Sequence, residues 1–486
     1  MIAMKTLLSF RKNPFKSWEC SSFGVRLKFS KRFFQNDSSD SEQLHWFFQR
    51  IKSANGFNDH AVIIRWPLLS VGAIFFTFLV SACQSPTASK TAIKFWAMGA
   101  EGEHVQKLMP EFARRYPDIE VKIQGIPWTA AHEKLLTAYA GNSLPDICQL
   151  GNTWIPEFNL LNALENLGDW LGNSSTIKHE NYFPGIWETN VIDSSVFGIP
   201  WYVDTRLLFY RKDILAKAGY DHPPRTWDEW FEVSKKIKQL PGGQEKYALL
   251  LPTNEWTPFV ITGLQTGSLL LKEGNRYGDF NGVRFASGFE FLMKFYREKL
   301  APVGITQVTN IYQGLAEGFF AMYITGPWNI GEFQRRLPAE LQDQWMTAPM
   351  PGPDASTPGV SLAGGSSLVM FKNSKKKTEA WKLIEYLSEA PQQLEFYKIT
   401  GDLPAVREAW SDTAFTNNVY IQAFYQQLEH VVPTPMIPEW EQIAMKVQQY
   451  AEAASGQHMS VPEALQALDR EVDLILEKRR WMLSRR

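Results

Sequence analysis

A strand, a helix and a second strand packed into about thirty residues constrain this chain more than any other feature. Ile93, Phe95 and Ala97 alternate in IKFWAM, and Val105, Leu108, Met109 and Phe112 then recur at helical spacing until Tyr116-Pro117 stops the helix. Ile119, Val121 and Ile123 alternate again. Antiparallel neighbours need only a tight turn, whereas parallel strands need a crossover of a dozen or more residues. The segment therefore predicts a parallel pair and an α/β fold. A further helix in TAAHEKLLTAYA, after Thr129, and a third strand in DICQL (146–150) continue the pattern.

Downstream, Thr226 and Glu229 form a capping-box pattern ahead of a helix whose face carries Trp230, Val233, Ile237 and Leu240. SLVMFKNSKKKTEAWKLIEYL reads as strand, polar turn and helix, with Ala380, Leu383, Ile384 and Leu387 inward. From Val461 an amphipathic helix aligns Leu465, Leu468, Val472 and Ile475. At 486 residues and 44% hydrophobic composition the chain buries ample core and exceeds one typical domain. A formal net charge of −1 removes the electrostatic footprint that nucleic-acid binding needs. Eighteen tryptophans are more than packing usually demands, and aromatic faces stack on flat apolar ligand surfaces.

PLLSVGAIFFTFLVSA (67–82), preceded by Arg65 and closed by small residues, reads as the apolar core and cleavage site of a secretion signal, being too short for a membrane span. Residues 62–82 are thus a signal segment. Residues 1–61 are an N-terminal extension expected from a misplaced start codon, with Val62 or Ile64 as an alternative start. The tail LVSAC resembles the lipobox of bacterial lipoproteins, which implies lipidation of Cys83 and a tether over 83–90 containing QSPTASK. Of three cysteines, Cys148 then remains the sole thiol of the mature chain, leaving no intrachain disulfide.

The usual marks of catalysis fail. HEKLL has Leu136 where a zinc helix needs a second histidine, GGSSL is not G-x-S-x-G, and GAEGEH misses the dinucleotide spacing. No P-loop or C-x-x-C occurs, and the eight histidines are scattered singly. We expect no metal and no cofactor. Carboxylate pairs leave a glycosidase open.

One stretch resists a purely structural reading: FGIPWYVDTRLLFYRKDIL (197–215) sets Trp201, Tyr202, Asp204 and Arg206 side by side in a strand-like apolar run. With PDICQLGNTWIPEF, LPTNEWTPFV, AMYITGPWNIGEF, LAGGSSLVM and TGDLPAVREAW, in that order and spacing, it resembles the bacterial extracellular solute-binding proteins of sugar ABC transporters. The resemblance runs from Ile93 to Trp481. It implies a two-lobed periplasmic-binding-protein fold (type II) with a ligand cleft between α/β lobes, and crossings near Val203–Arg206, Leu362–Gly364 and Leu403–Val406. The expected first lobe is 91–203 plus 364–402, the second 204–363 plus 403–486.

Sugars present hydroxyls in a ring plane and C–H faces above and below it. Carboxylates accept from vicinal hydroxyls, guanidinium donates, and indole or phenol rings stack. The resemblance makes Asp204, Arg206, Trp201, Tyr202, Trp328, Glu101, Asn152, Trp154, Trp256 and Trp128 candidate contacts, with Gly364 and Gly365 admitting backbone N–H groups. Trp227, Trp230 and Trp381 are assigned to core. The implied ligand is a neutral di- or oligosaccharide or glycoside, such as trehalose, maltose, sucrose or glucosylglycerol. Gly151-Asn152 follows CQL where some relatives place an acidic residue. The implied partners are ABC permease subunits with a cytoplasmic ATPase, and the implied state is a lipid-anchored monomer on the extracytoplasmic face. A secreted carbohydrate-active enzyme and a sugar-sensing receptor subunit are the alternatives.

Overall fold

The computed structural model describes residues 90–303 and 310–485; the expected signal segment and Cys83 lie outside the described residues. Ten strands build two sheets: β1 (Thr91–Met98), β2 (Ile119–Ile126), β3 (Ile147–Gly151), β4 (Ile199–Asp204), β5 (Leu207–Arg211), β6 (Tyr247–Leu250), β7 (Phe320–Thr325), β8 (Trp345–Ala348), β9 (Gly364–Met370) and β10 (Leu403–Pro404).

The first lobe holds a six-stranded sheet of order β10-β4-β9-β3-β1-β2. β1 and β2 pair in parallel from Thr91↔Ile119 to Met98↔Ile126, as the crossover spacing requires, and β3 joins β1 in parallel. Ile93, Phe95 and Ala97 are fully buried on one face of β1. β9 runs antiparallel to both β3 and β4. The second lobe holds a four-stranded sheet of order β8-β5-β7-β6, in which β5 is antiparallel to β7 and β8 while β7 and β6 are parallel. All five residues of β5 are buried, as expected of a central strand covered on both faces.

The helices mostly follow their periodicity. Helix Trp227–Gln239 buries Trp227, Trp230, Val233 and Ile237, and Trp381 is core in helix Lys377–Leu387. The expected capping box at Thr226 is only half made. Thr226 Oγ1 accepts the Glu229 N–H at 3.2 Å, but the Glu229 carboxylate takes the Arg225 N–H at 2.8 Å, one residue upstream. The reciprocal box stands at Ser460 and Glu463, which the sequence reading passed over. In helix Val461–Ile475 the last inward position belongs to Leu476 beyond its end, and Ile475 is only half-buried.

The first two crossings run from β4 to β5 through Thr205-Arg206, and from Ser361–Leu362 into β9 through Ala363. Ser361 Oγ donates to Arg206 O at 2.8 Å and pins them together. Two boundaries shift. Asp204 ends a strand of the first sheet, and β10 pairs with β4 (Leu403↔Val203), so Leu403–Pro404 belongs to the first lobe. Helix Arg407–Ser411 stays against β10, and the chain reaches the second sheet as helix Val419–Leu428 on β8 and β5. The third crossing therefore falls after Ser411, not at Leu403–Val406. The reason is the unpaired edge of β4, which takes an extra strand before the chain leaves. On its return, Val431–Val432 pairs in parallel with Ser361–Leu362.

Candidate functional site

Both sheets point the carboxyl ends of parallel strands at one region, the usual place for ligands in open α/β sheets. From the first lobe come Glu101 after β1, Trp128 after β2, Asn152 and Trp154 after β3, and Asp204 at the end of β4. From the second come Glu255 and Trp256 after β6, and Trp328 after β7, with Arg206 just before β5.

At the centre, Arg206 Nη1 donates to Asp204 Oδ1 at 2.5 Å, and the guanidinium carbon lies 4.6 Å from the centre of the Trp328 ring. Trp328 opens helix Trp328–Arg336 and remains 44% exposed. Its indole folds back over Gly326, where a Cβ would meet it at 1.9 Å. Burial raises the Asp204 pKa against the opposing pull of Arg206, with 31% of the side chain still open to solvent. Glu255 is likewise raised by burial, then lowered by Arg206 and raised by Asp204.

A buried hydrogen-bond chain supports Glu101. Met98 N–H donates to Gln149 Oε1 at 2.7 Å, Gln149 Nε2 donates to the Tyr202 hydroxyl at 2.9 Å, and Tyr202 donates to Glu101 Oε1 at 2.8 Å. Ser366 Oγ donates to the same Tyr202 oxygen at 3.0 Å. Gly99, at φ +54°, permits the fold: a Cβ there would lie 2.8 Å from Glu101 Oε2 and 2.9 Å from Trp128 Nε1. Glu101 and Trp128 thus flank one spot. Trp128 is 37% exposed and edge-on to Trp154 at 5.7 Å, and Trp154 is edge-on to His132 at 5.2 Å.

Several expected contacts take other roles. Trp201 is 1% exposed and stacks on Phe396 at 4.4 Å; it is core, because successive side chains of β4 point to opposite faces. The Tyr202 hydroxyl is spent within the protein and acts through Glu101. Asn152 is buried, and its Nδ2 donates to Ala363 O at 3.0 Å, tying β3 to a crossing segment. Gly364 and Gly365 are demanded by packing, since a Cβ would sit 2.1 Å from Asp204 O and 2.3 Å from Tyr202 O respectively. Trp256 is half-buried and edge-on to Trp440 at 5.6 Å. Asp402 is a candidate group that sequence reasoning missed. The β10–β4 register sets it opposite Asp204, and burial, then Glu101 and Asp204, push its pKa up to about 7. Its only signal was the loop TGDLP. Among the described residues no cluster of ligands fit for a metal ion occurs.

Fold and site together define a two-lobed binding protein with a carboxylate- and indole-lined cleft. A profile of the bacterial extracellular solute-binding proteins matches residues 98–394, and the chain belongs to that family. It is similar to the sugar-binding protein MalE of Xanthomonas citri, with 44% identity and a TM-score of 0.79 over 82% of this chain and all of that one. It is 27% identical to the diacetylchitobiose-binding protein DasA of Streptomyces coelicolor, over 66% of this chain and 74% of that protein. The maltodextrin-binding protein MdxE of Bacillus subtilis is 25% identical over 86% of this chain and 99% of its own.

Proposed function

We propose that the protein is the substrate-capturing component of a carbohydrate ABC transporter. It closes its lobes over a neutral di- or oligosaccharide or glycoside and hands it unchanged to a permease with a cytoplasmic ATPase. The observation that carries this reading is the Asp204–Arg206–Trp328 line. Acceptor, donor and stacking face stand in sequence across a crossing segment, so a ligand seated there touches both lobes. Contacts made only in the closed state supply the differential affinity that shifts an open–closed equilibrium.

Glu101, Trp128, Trp154 and Trp256 are the flanking contacts, and main-chain groups at Gly364 and Gly365 line the crossing. Relatives named for diacetylchitobiose and maltodextrin support an oligosaccharide over a single sugar. Micromolar capture requires about 8 kcal/mol, within reach of a few stacked rings and charge-assisted hydrogen bonds. Lipidation at Cys83 anchors the protein at the extracytoplasmic face.

The test is calorimetric titration of the purified chain against trehalose, maltose, sucrose and glucosylglycerol, with Asp204→Ala beside it. Saturable binding that the variant loses, with the sugar recovered intact, is the expected result. Steady conversion of the sugar would replace this reading with the enzyme; silence across the panel would remove the carbohydrate class.

A further inference from the structure

Two carboxyls, Glu101 and Asp402, face the same end of the cleft, and the hydrogen bonds around them are directional. Gln149 is fully buried, and its Oε1 accepts from Met98 N–H, so its Nε2 must donate to Tyr202. Tyr202 also receives the Ser366 hydroxyl. With two donors aimed at its oxygen, the one Tyr202 hydrogen goes to Glu101 Oε1, making that oxygen a permanent acceptor. Oε2 is left beside the Trp128 indole.

Asp402 has the opposite setting. The β10–β4 pairing sets it beside Asp204 and the Tyr202 hydroxyl, Glu101 faces it from the helix after β1 and Thr400 from the preceding helix, with Arg206 and Glu255 grouped around Asp204. Glu101 and Asp204 are carboxylates, Tyr202 and Thr400 bring hydroxyls, and Arg206 is paired with Asp204.

We propose that Glu101 and Asp402 divide the ligand's polar contacts, Glu101 accepting from a sugar hydroxyl and Asp402, as the neutral acid, donating to a sugar oxygen. This rests on the carbohydrate reading above. Closing the lobes removes water from between three carboxyls and raises the cost of ionising the last of them. The closed complex therefore takes one proton from solvent onto Asp402 wherever the open protein has lost it. Tyr202 is the positioning residue that holds Glu101 Oε1 through its hydroxyl.

The experiment is calorimetric titration of the full chain with maltose and trehalose across about pH 5.5 to 9, in two buffers of different protonation heat. Affinity is expected to be level below about pH 7 and to weaken about tenfold per unit above it, with close to one proton taken up at about pH 8. Asp402→Asn, a neutral donor of the same shape, is expected to hold affinity within about threefold of the parent at acid pH and to flatten the profile. Tyr202→Phe removes the hydroxyl that holds Glu101 Oε1 and is expected to lower sugar affinity at every pH while the fold holds. A level parent profile, loss of binding in a folded Asp402→Asn protein, or affinity unchanged by Tyr202→Phe would each overturn the inference while leaving sugar capture standing. Binding of neither sugar at any pH would strike the carbohydrate reading itself, and this with it.

Discussion

Trp201 and Trp328 carry the same side chain and have opposite fates. Trp201 sits among Phe95, Phe396 and Tyr202, so Trp201→Ala should cost about 3–5 kcal/mol of stability. Trp328→Ala removes a half-exposed ring; denaturant unfolding should change little while sugar affinity falls about 10- to 200-fold. Unfolding curves and titrations on both variants check the pair, and the reverse pattern would refute the assignment. Asp402 makes a pH prediction. Its native pKa lies above the ordinary carboxylate value, so the native state holds a proton that the unfolded chain releases between about pH 4 and 7. Stability contributed by that proton is present at low pH and fades as pH rises through about 7, at up to about 1.4 kcal/mol per unit. Asp402→Asn should therefore unfold at higher denaturant than the parent at about pH 8, with the gap narrowing toward about pH 4.

At the scale of elements, β9 lies so close over β4 that two glycines are required at its start. Gly365 has φ +134° and no room for a Cβ, so Gly365→Ala should be strongly destabilising; Gly125, with nothing within 4 Å of its Cβ position, should accept alanine at little or no cost. Ser460→Ala should cost about 1 kcal/mol by losing the reciprocal cap, measured by denaturant melts. Most elements were legible in the chain because periodicity reports which face is buried. Ile93, Phe95 and Ala97 gave β1 its inward face before any partner was known. The short strand β10 was not, since two residues carry no period and its pairing is set by the free edge of β4.

At the scale of the whole molecule, binding is a change of shape. Saturating sugar should lower the radius of gyration measured by small-angle X-ray scattering; full binding with an unchanged radius would dismiss lobe closure. The lip of the cleft adds a second titration. His132 Nε2 lies 2.6 Å from Glu157 Oε2, and its pKa is raised by that bond against burial, with Glu441 from the other lobe adding to the rise. The pair's contribution is present below about pH 6.5 and lost as pH rises through the native value. Glu157→Gln should remove that slope from stability measured against pH.

The sequence by itself determined the α/β class and the parallel opening, because hydrophobic period is a local property, and its motif order pointed to the family. Only the tertiary structure decided which of the candidate residues turn inward and which stand between the two sheets. Trp201 went to the core and Asn152 to a crossing segment, while Tyr202 became the support for Glu101. Asp402 entered the site because β10 pairs with β4. Facing direction, a spent hydrogen bond and a cluster of carboxyls belong to groups far apart in the chain, and only folding sets the distances between them.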